Sequence, residues 1–238
     1  MLFGLDPLYL VLALPGLLLG AWAQAKVSRA FKRYSQVPTR RGETGAMVAA
    51  AILRDEGIRD VAIEQVSGRL SDHYDPTSRT LRLSPDVYSG RTIAAAGVAA
   101  HEVGHALQHA QGYRWLQMRS RLVPVLSITS KAAMPLIMLG FVLMWVGSFA
   151  LGQLAIQIGA VLFAGIVLFQ LVTLPVEFDA SKRALAVLGR QGLLSTQEGQ
   201  GAKAVLDAAA LTYVAAAVSS LLTLVYFLIR AGLLGSRD

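Results

Sequence analysis

Three stretches of this chain carry no charged residue, and their lengths decide most of what it can fold into. Pro7 to Ala25 gives 19 such residues, Ala132 to Val176 gives 45 and Ala208 to Ile229 gives 22. Crossing a ~30 Å hydrocarbon core takes about 20 helical residues, so the first and last runs each predict one membrane helix. As one straight helix the middle run would reach roughly 68 Å at ~1.5 Å per residue. It therefore predicts a helical hairpin with its turn at Gly147 to Gly152. Charged residues make up only 16% of the 238, against about a quarter in soluble domains, which excludes an ordinary soluble globule. The expected organisation is a first transmembrane helix (1–25), a polar stretch (26–131), a transmembrane hairpin (132–176), a second polar stretch (177–207) and a fourth transmembrane helix with a short tail (208–238).

With four crossings both polar stretches share one side of the membrane. Of the 22 Lys and Arg residues, 16 lie in Ala25 to Lys131, four in Glu177 to Asp207 and two, Arg230 and Arg237, in the tail. The positive-inside rule places the shared side in the cytoplasm and both termini outside, as expected of a multi-pass membrane protein. The net charge of +7 thus reads as membrane topology. It does not point to nucleic acid, because no block of five basic residues occurs. An A-x-A pattern at Ala21 and Ala23 raises the alternative of a signal peptide. The segment before it lacks the basic residues that such a peptide uses, so an uncleaved anchor is expected. The absence of cysteine excludes a disulfide framework and a thiolate metal site.

In the first polar stretch, TGAMVAAAILRDEGI reads as a short packing helix that Gly57 ends. Val61 to Val66 and Arg79 to Leu83 alternate with period two and predict a β-hairpin or small sheet around the turn-rich SGRLSDHYDPTS. TIAAAGVAAHEVGHALQHAQG then predicts a helix that Gly112 can end.

That last helix holds His101-Glu102-Val103-Gly104-His105, an H-E-x-x-H pattern. Residues four apart share a helix face, so both imidazoles can reach one metal ion, with Glu102 beside them as a base for water. With four His and six Glu in the chain, composition alone would give the pattern in roughly two chains per thousand. His109 lies about 12 Å along the helix from His101 and cannot share the ion. Gln108 and Gln111 stand where the metzincin pattern wants Gly and His, which excludes that class.

A catalytic zinc needs a third ligand from elsewhere. Glu177 follows Pro175 at the expected membrane boundary and opens the run EFDASKRALAVL. A carboxylate there is costly unless paired or coordinated, although it also suits the N-terminus of a helix beginning at that point. Asp179 lies off Glu177's face and is expected to support the ligands or simply to be solvated. Arg183 reads as a surface charge.

The segments TGAMVAAAILRDEGI, SGRLSDHYDP, LRLSPDVY, GVAAHEVGHALQ and LPVEFDASKRAL, in this order between apolar runs, resemble the YugP-type family of bacterial membrane neutral zinc metallopeptidases. The likeness extends from about Thr39 to Leu188. It implies Zn2+ as cofactor, a gluzincin-like site with His101, His105 and Glu177 as ligands, Glu102 as catalyst, and peptide or membrane-protein substrates. The arrangement is also similar to HtpX and CAAX-type membrane proteases, in which an E-x-x-x-D segment supplies a supporting aspartate. Here Ser181 occupies that position, so Asp179 or a residue of DHYDP is expected to substitute.

The expected fold is a mainly α-helical integral membrane protein: four transmembrane helices plus a small α+β zincin-like cytoplasmic domain carrying the β-hairpin or small sheet. His73, Tyr74 and Tyr213 are candidates to support the oxyanion, and the Arg79 to Leu83 strand is a candidate edge for an extended substrate. One rival places the chemistry inside the bilayer, as in site-2 proteases, but Arg91 and Arg114 bracket the motif helix. Another is a non-enzymatic scaffold or adaptor using zinc to clamp the polar insertion. Small residues from Gly159 to Gly165 serve helix packing within one chain or within a homo-oligomer.

Overall fold

In a computed structural model the fold is described for residues 6–234. The expected tail residue Arg237 lies outside these. The elements in chain order are α1 (Pro7–Tyr34), α2 (Gly45–Asp55), β1 (Ala62–Gln65), β2 (His73–Asp75), β3 (Thr80–Leu83), α3 (Pro85–Tyr88), α4 (Ile93–Ala110), α5 (Arg114–Trp145), α6 (Phe149–Arg190) and α7 (Thr196–Arg230). Among the described residues α1, α5, α6 and α7 are long and apolar enough to cross a membrane. The protein is mainly helical, with four candidate membrane spans and one small sheet.

The helices outrun the apolar stretches that announce them. Helix α1 continues through the basic collar to Tyr34, and α5 begins at Arg114. The turn between α5 and α6 is shorter than expected. Only residues 146–148 leave the helix, with Gly147 at φ +89°, a left-handed conformation that glycine adopts without steric cost. Glu177 does not open a helix. It lies inside α6, which runs through Pro175 without ending, so the expected helix start at this point is corrected and its capping role falls with it.

The sheet also corrects the hairpin expected between Val61–Val66 and Arg79–Leu83. Its order is β1-β3-β2, with β1 parallel to β3 and β2 antiparallel to it. Strand β2 comes from the middle of the segment that reads as turn. The true hairpin is β2–β3, and Asp75 makes its turn by accepting from the Thr77 amide at 2.9 Å and the Ser78 hydroxyl at 2.8 Å. Strand β3 is therefore the central strand and offers no free edge to a substrate.

The chain forms two compact units. One comprises residues 23–117 and 174–212. Its core joins Val48 and Ile52 of α2, Leu81 and Leu83 of β3, Val103 of α4 and Leu188 of α6, all nearly inaccessible to solvent. Each such side chain contributes about 1.5–3 kcal/mol by burial. The other unit comprises residues 1–22, 118–173 and 213–238. Its buried cluster is Ile137, Ala160, Tyr226 and Phe227. Gly140 and Gly152 bring α5 and α6 together: a Cβ on Gly140 would stand 2.7 Å from the Gly152 carbonyl. Gly159 likewise packs inside the chain, against Ile137. Arg230, whose position at the tail conflicts with the charge rule, pairs with Asp6, which also accepts from the Tyr226 hydroxyl at 2.8 Å.

Candidate metal centre

The site is built within the first of these units, from α4 and α6. Helix α4 starts where Thr92 caps it by accepting from the Ala95 amide. It ends at Gln111, with Gly112 at φ +64°. Alanine and glycine on several faces let it sink into the core. At Gly104 an added Cβ would come within 2.5 Å of the Ala180 carbonyl, so only glycine permits this approach of α4 to α6.

That approach brings together the residues that sequence placed 76 positions apart. Glu177 Oε2 lies 3.2 Å from His101 Nε2 and 3.6 Å from His105 Nε2. The two imidazoles are 4.8 Å apart between centroids and nearly perpendicular. One ligand atom from each of the three residues falls within 4.8 Å of the others, a set that could hold a metal ion. The Glu177 side chain is only 3% exposed. A carboxylate this buried, converging with two imidazole nitrogens, fits a divalent cation, and nitrogen and oxygen donors suit zinc.

The far side of each imidazole is held as well. His101 Nδ1 lies 3.0 Å from Ser181 Oγ, and His105 Nδ1 lies 3.1 Å from Gln108 Oε1. With Nδ1 engaged behind, Nε2 faces the carboxylate in both rings. The partner of His101 is thus Ser181 itself. The support expected from Asp179 falls on the other imidazole, at one remove through Gln108. Asp179 accepts from Gln108 Nε2 at 2.9 Å and from Arg183. Arg183 is consequently no isolated surface charge: it also donates to Gln111 and lies over the Tyr113 ring at 5.5 Å.

Glu102 is buried beside the triad. Burial pushes its carboxyl up to about 7, with His101 pulling it down and Glu177 and Asp72 adding to the rise. This is the range in which a carboxylate serves as a general base near neutral pH.

Of the other candidates, Tyr74 and His73 have partners of their own and Tyr213 is counted with the other unit. Tyr74 spends its hydroxyl on His109 Nδ1 at 2.8 Å, which also settles His109 as a partner of the sheet. His73 is exposed at the start of β2, its Nδ1 donating to the Ser71 carbonyl at 2.8 Å. Before it, Asp72 accepts from the Ser84 amide at 2.7 Å and the Ser84 hydroxyl at 3.0 Å, and so ties β2 to the start of α3. Tyr213 belongs to α7 in the other unit. In the sequence reading Gln108 serves only to exclude the metzincin pattern and has no role at the metal centre. The available signal was its position three residues after His105, on the same helix face.

Comparison with known proteins agrees with this chemistry. The sequence pattern of a family described as "Putative neutral zinc metallopeptidase" matches residues 9–232. A relative from Bacillus subtilis (strain 168), named "Putative membrane protease YugP", is 48% identical over 220 residues, covering 92% of this chain and 95% of the relative. No solved structure matches. Matched over that length, and with a donor set suited to the metal in the family's description, the chain belongs to this family of membrane neutral zinc metallopeptidases.

Proposed function

We propose that the protein is a zinc-dependent endopeptidase of a bacterial inner membrane, with its site on the cytoplasmic face and both termini outside. His101, His105 and Glu177 would hold the ion. Bound zinc supplies the Lewis acidity that makes water deprotonation accessible near neutral pH. Glu102 takes the proton from the attacking water and returns it to the leaving amine. The observation that carries this reading is the convergence of both Nε2 atoms on Glu177 Oε2 with a buried carboxylate next in sequence to one of them. A purely structural ion needs no such second carboxylate.

The substrate is a peptide or a membrane protein in extended form. Since β3 is enclosed, the edge available near the site is that of β2. With Nδ1 donating to the Ser71 carbonyl, the neutral ring of His73 on that strand presents an Nε2 lone pair that can accept from a substrate amide but cannot donate to an oxyanion. Amides of residues 72–75 should gain protection from hydrogen exchange when a peptide binds the Glu102→Gln variant. Unchanged exchange removes this docking mode.

The deciding experiment measures zinc content and peptide hydrolysis on one detergent-purified sample. Wild type that holds zinc and cleaves, beside Glu102→Gln that holds zinc and does not, supports the peptidase. Zinc in both forms with hydrolysis in neither supports the scaffold or adaptor. Because the chain has no cysteine, a single Arg69→Cys substitution, at a side chain 84% exposed, reports orientation. In intact spheroplasts an impermeant maleimide should leave it unlabelled, and labelling from outside would reverse the proposed topology.

A further inference from the structure

We propose that Gln108 is a positioning residue of the metal centre: it selects the coordinating tautomer of His105 and locks the His105 side of the site to the backbone that carries Glu177. The inference rests on the zinc reading above and extends it to a residue outside the H-E-x-x-H pattern.

Gln108 is fully buried. Its amide has one acceptor oxygen and two N–H donors, and burial makes each unmet group costly. Nε2 donates to the Val176 carbonyl at 2.8 Å and to Asp179 Oδ2 at 2.9 Å. Both partners accept only, since one is a main-chain carbonyl and the other a carboxylate held by Arg183. They therefore fix which way the amide points, leaving Oε1 for His105 Nδ1 at 3.1 Å. An acceptor there requires the proton to sit on Nδ1, which leaves the Nε2 lone pair for the cation. Because Val176 immediately precedes Glu177, the same side chain also grips the main chain of the third ligand.

His101 is supported differently. Ser181 can donate or accept, so the 3.0 Å contact orients the ring without dictating a tautomer. The two histidines are unequal, one pre-set by Gln108 and one adaptable.

The test is zinc affinity of the full-length protein in detergent, read by competition with a chromogenic chelator. Gln108→Leu should raise the zinc Kd roughly 10–100-fold, the range for losing an outer partner of a ligating histidine, and Ser181→Ala should raise it less. The visible spectrum of the Co2+-loaded protein should change in Gln108→Leu. In thermal unfolding, a positioning role shrinks the increment that zinc adds, whereas a merely structural role lowers the midpoint equally with and without metal. Should Gln108→Leu fail to fold, Asp179→Asn loosens the amide from behind and should weaken zinc in the same direction. Wild type binding one zinc while both variants bind within about twofold of it overturns the inference. Wild type binding no zinc overturns it together with the metal reading, whereas zinc binding without hydrolysis overturns only the peptidase.

Discussion

A Cβ on Gly104 would come within 2.5 Å of the Ala180 carbonyl, and a Cβ on Gly140 within 2.5 Å of Ile156 Cγ1, yet the two close contacts serve different ends. In the unit formed by residues 118–173 and its terminal partners, glycine lets apolar helices interlock. The gain is dispersion and excluded lipid. In the site-bearing unit the same device presses α4 onto α6 so that three metal-binding side chains converge, and the polar groups buried there find partners on a different element. Close packing alone stabilises; close packing around partnered polar groups also makes a reaction possible. Perturbing the site should therefore change chemistry first, and perturbing the apolar unit should change stability alone.

The largest expected effect is on turnover. Glu102→Gln preserves shape and removes the proposed base, and should lower kcat by roughly 10²–10⁴-fold while zinc content and unfolding midpoint stay at wild-type values. Loss of zinc in this variant would show that Glu102 helps to hold the ion, and the division of roles within the motif would fail.

Next in size is the acid limb of the pH profile. As the proposed base Glu102 must be ionised, and burial raises its carboxyl to about 7, so kcat/KM should fall as pH drops through that group's value, about tenfold per unit well below it. A bound cation favours the ionised form and places the limb at or below about pH 7. A kcat/KM that stays flat as pH falls through about 7 to about 4 would remove Glu102 as the base.

The glycines give a smaller, paired effect. Gly104→Ala and Gly140→Ala each force a methyl into occupied space and should each cost about 1–3 kcal/mol in unfolding free energy. Only Gly104→Ala should also weaken zinc, since it drives His105 and Glu177 apart. Equal loss of zinc affinity in both would erase the distinction between the units.

Legibility in the sequence follows the same divide. The apolar runs announce four spans because a bilayer imposes length and composition locally, and H-E-x-x-H is legible because helical spacing alone puts both imidazoles on one face. Glu177 could be found by asking what returns to the same side of the membrane. Gln108 and Ser181 could be assigned no partner, because their roles depend on α4 meeting α6 in one register, and that register is set by a missing Cβ at Gly104. Strand β2 was hidden for a related reason: three residues in a turn-rich segment become a strand only because β3 is present to pair with them.

The smallest effect expected is also the sharpest test of independence. Tyr226→Phe deletes the hydroxyl that donates to Asp6 at 2.8 Å but keeps the ring, which packs edge-on at 5.1 Å from Tyr9 and 5.6 Å from Phe227. Asp6 still accepts from Arg230 and from the Leu8 amide, so no charge is stranded. The cost should be at the low end for a hydrogen bond to a charged group, about 1.5 kcal/mol, since the carboxylate keeps its other donors. It should appear as the same loss in unfolding free energy whether zinc is present or chelated, because the residue belongs to the unit that holds none of the ligands. A decrement that grows when zinc is loaded would mean that the clasp on Asp6 is felt at the metal, and the two units would have to be treated as one energetic system.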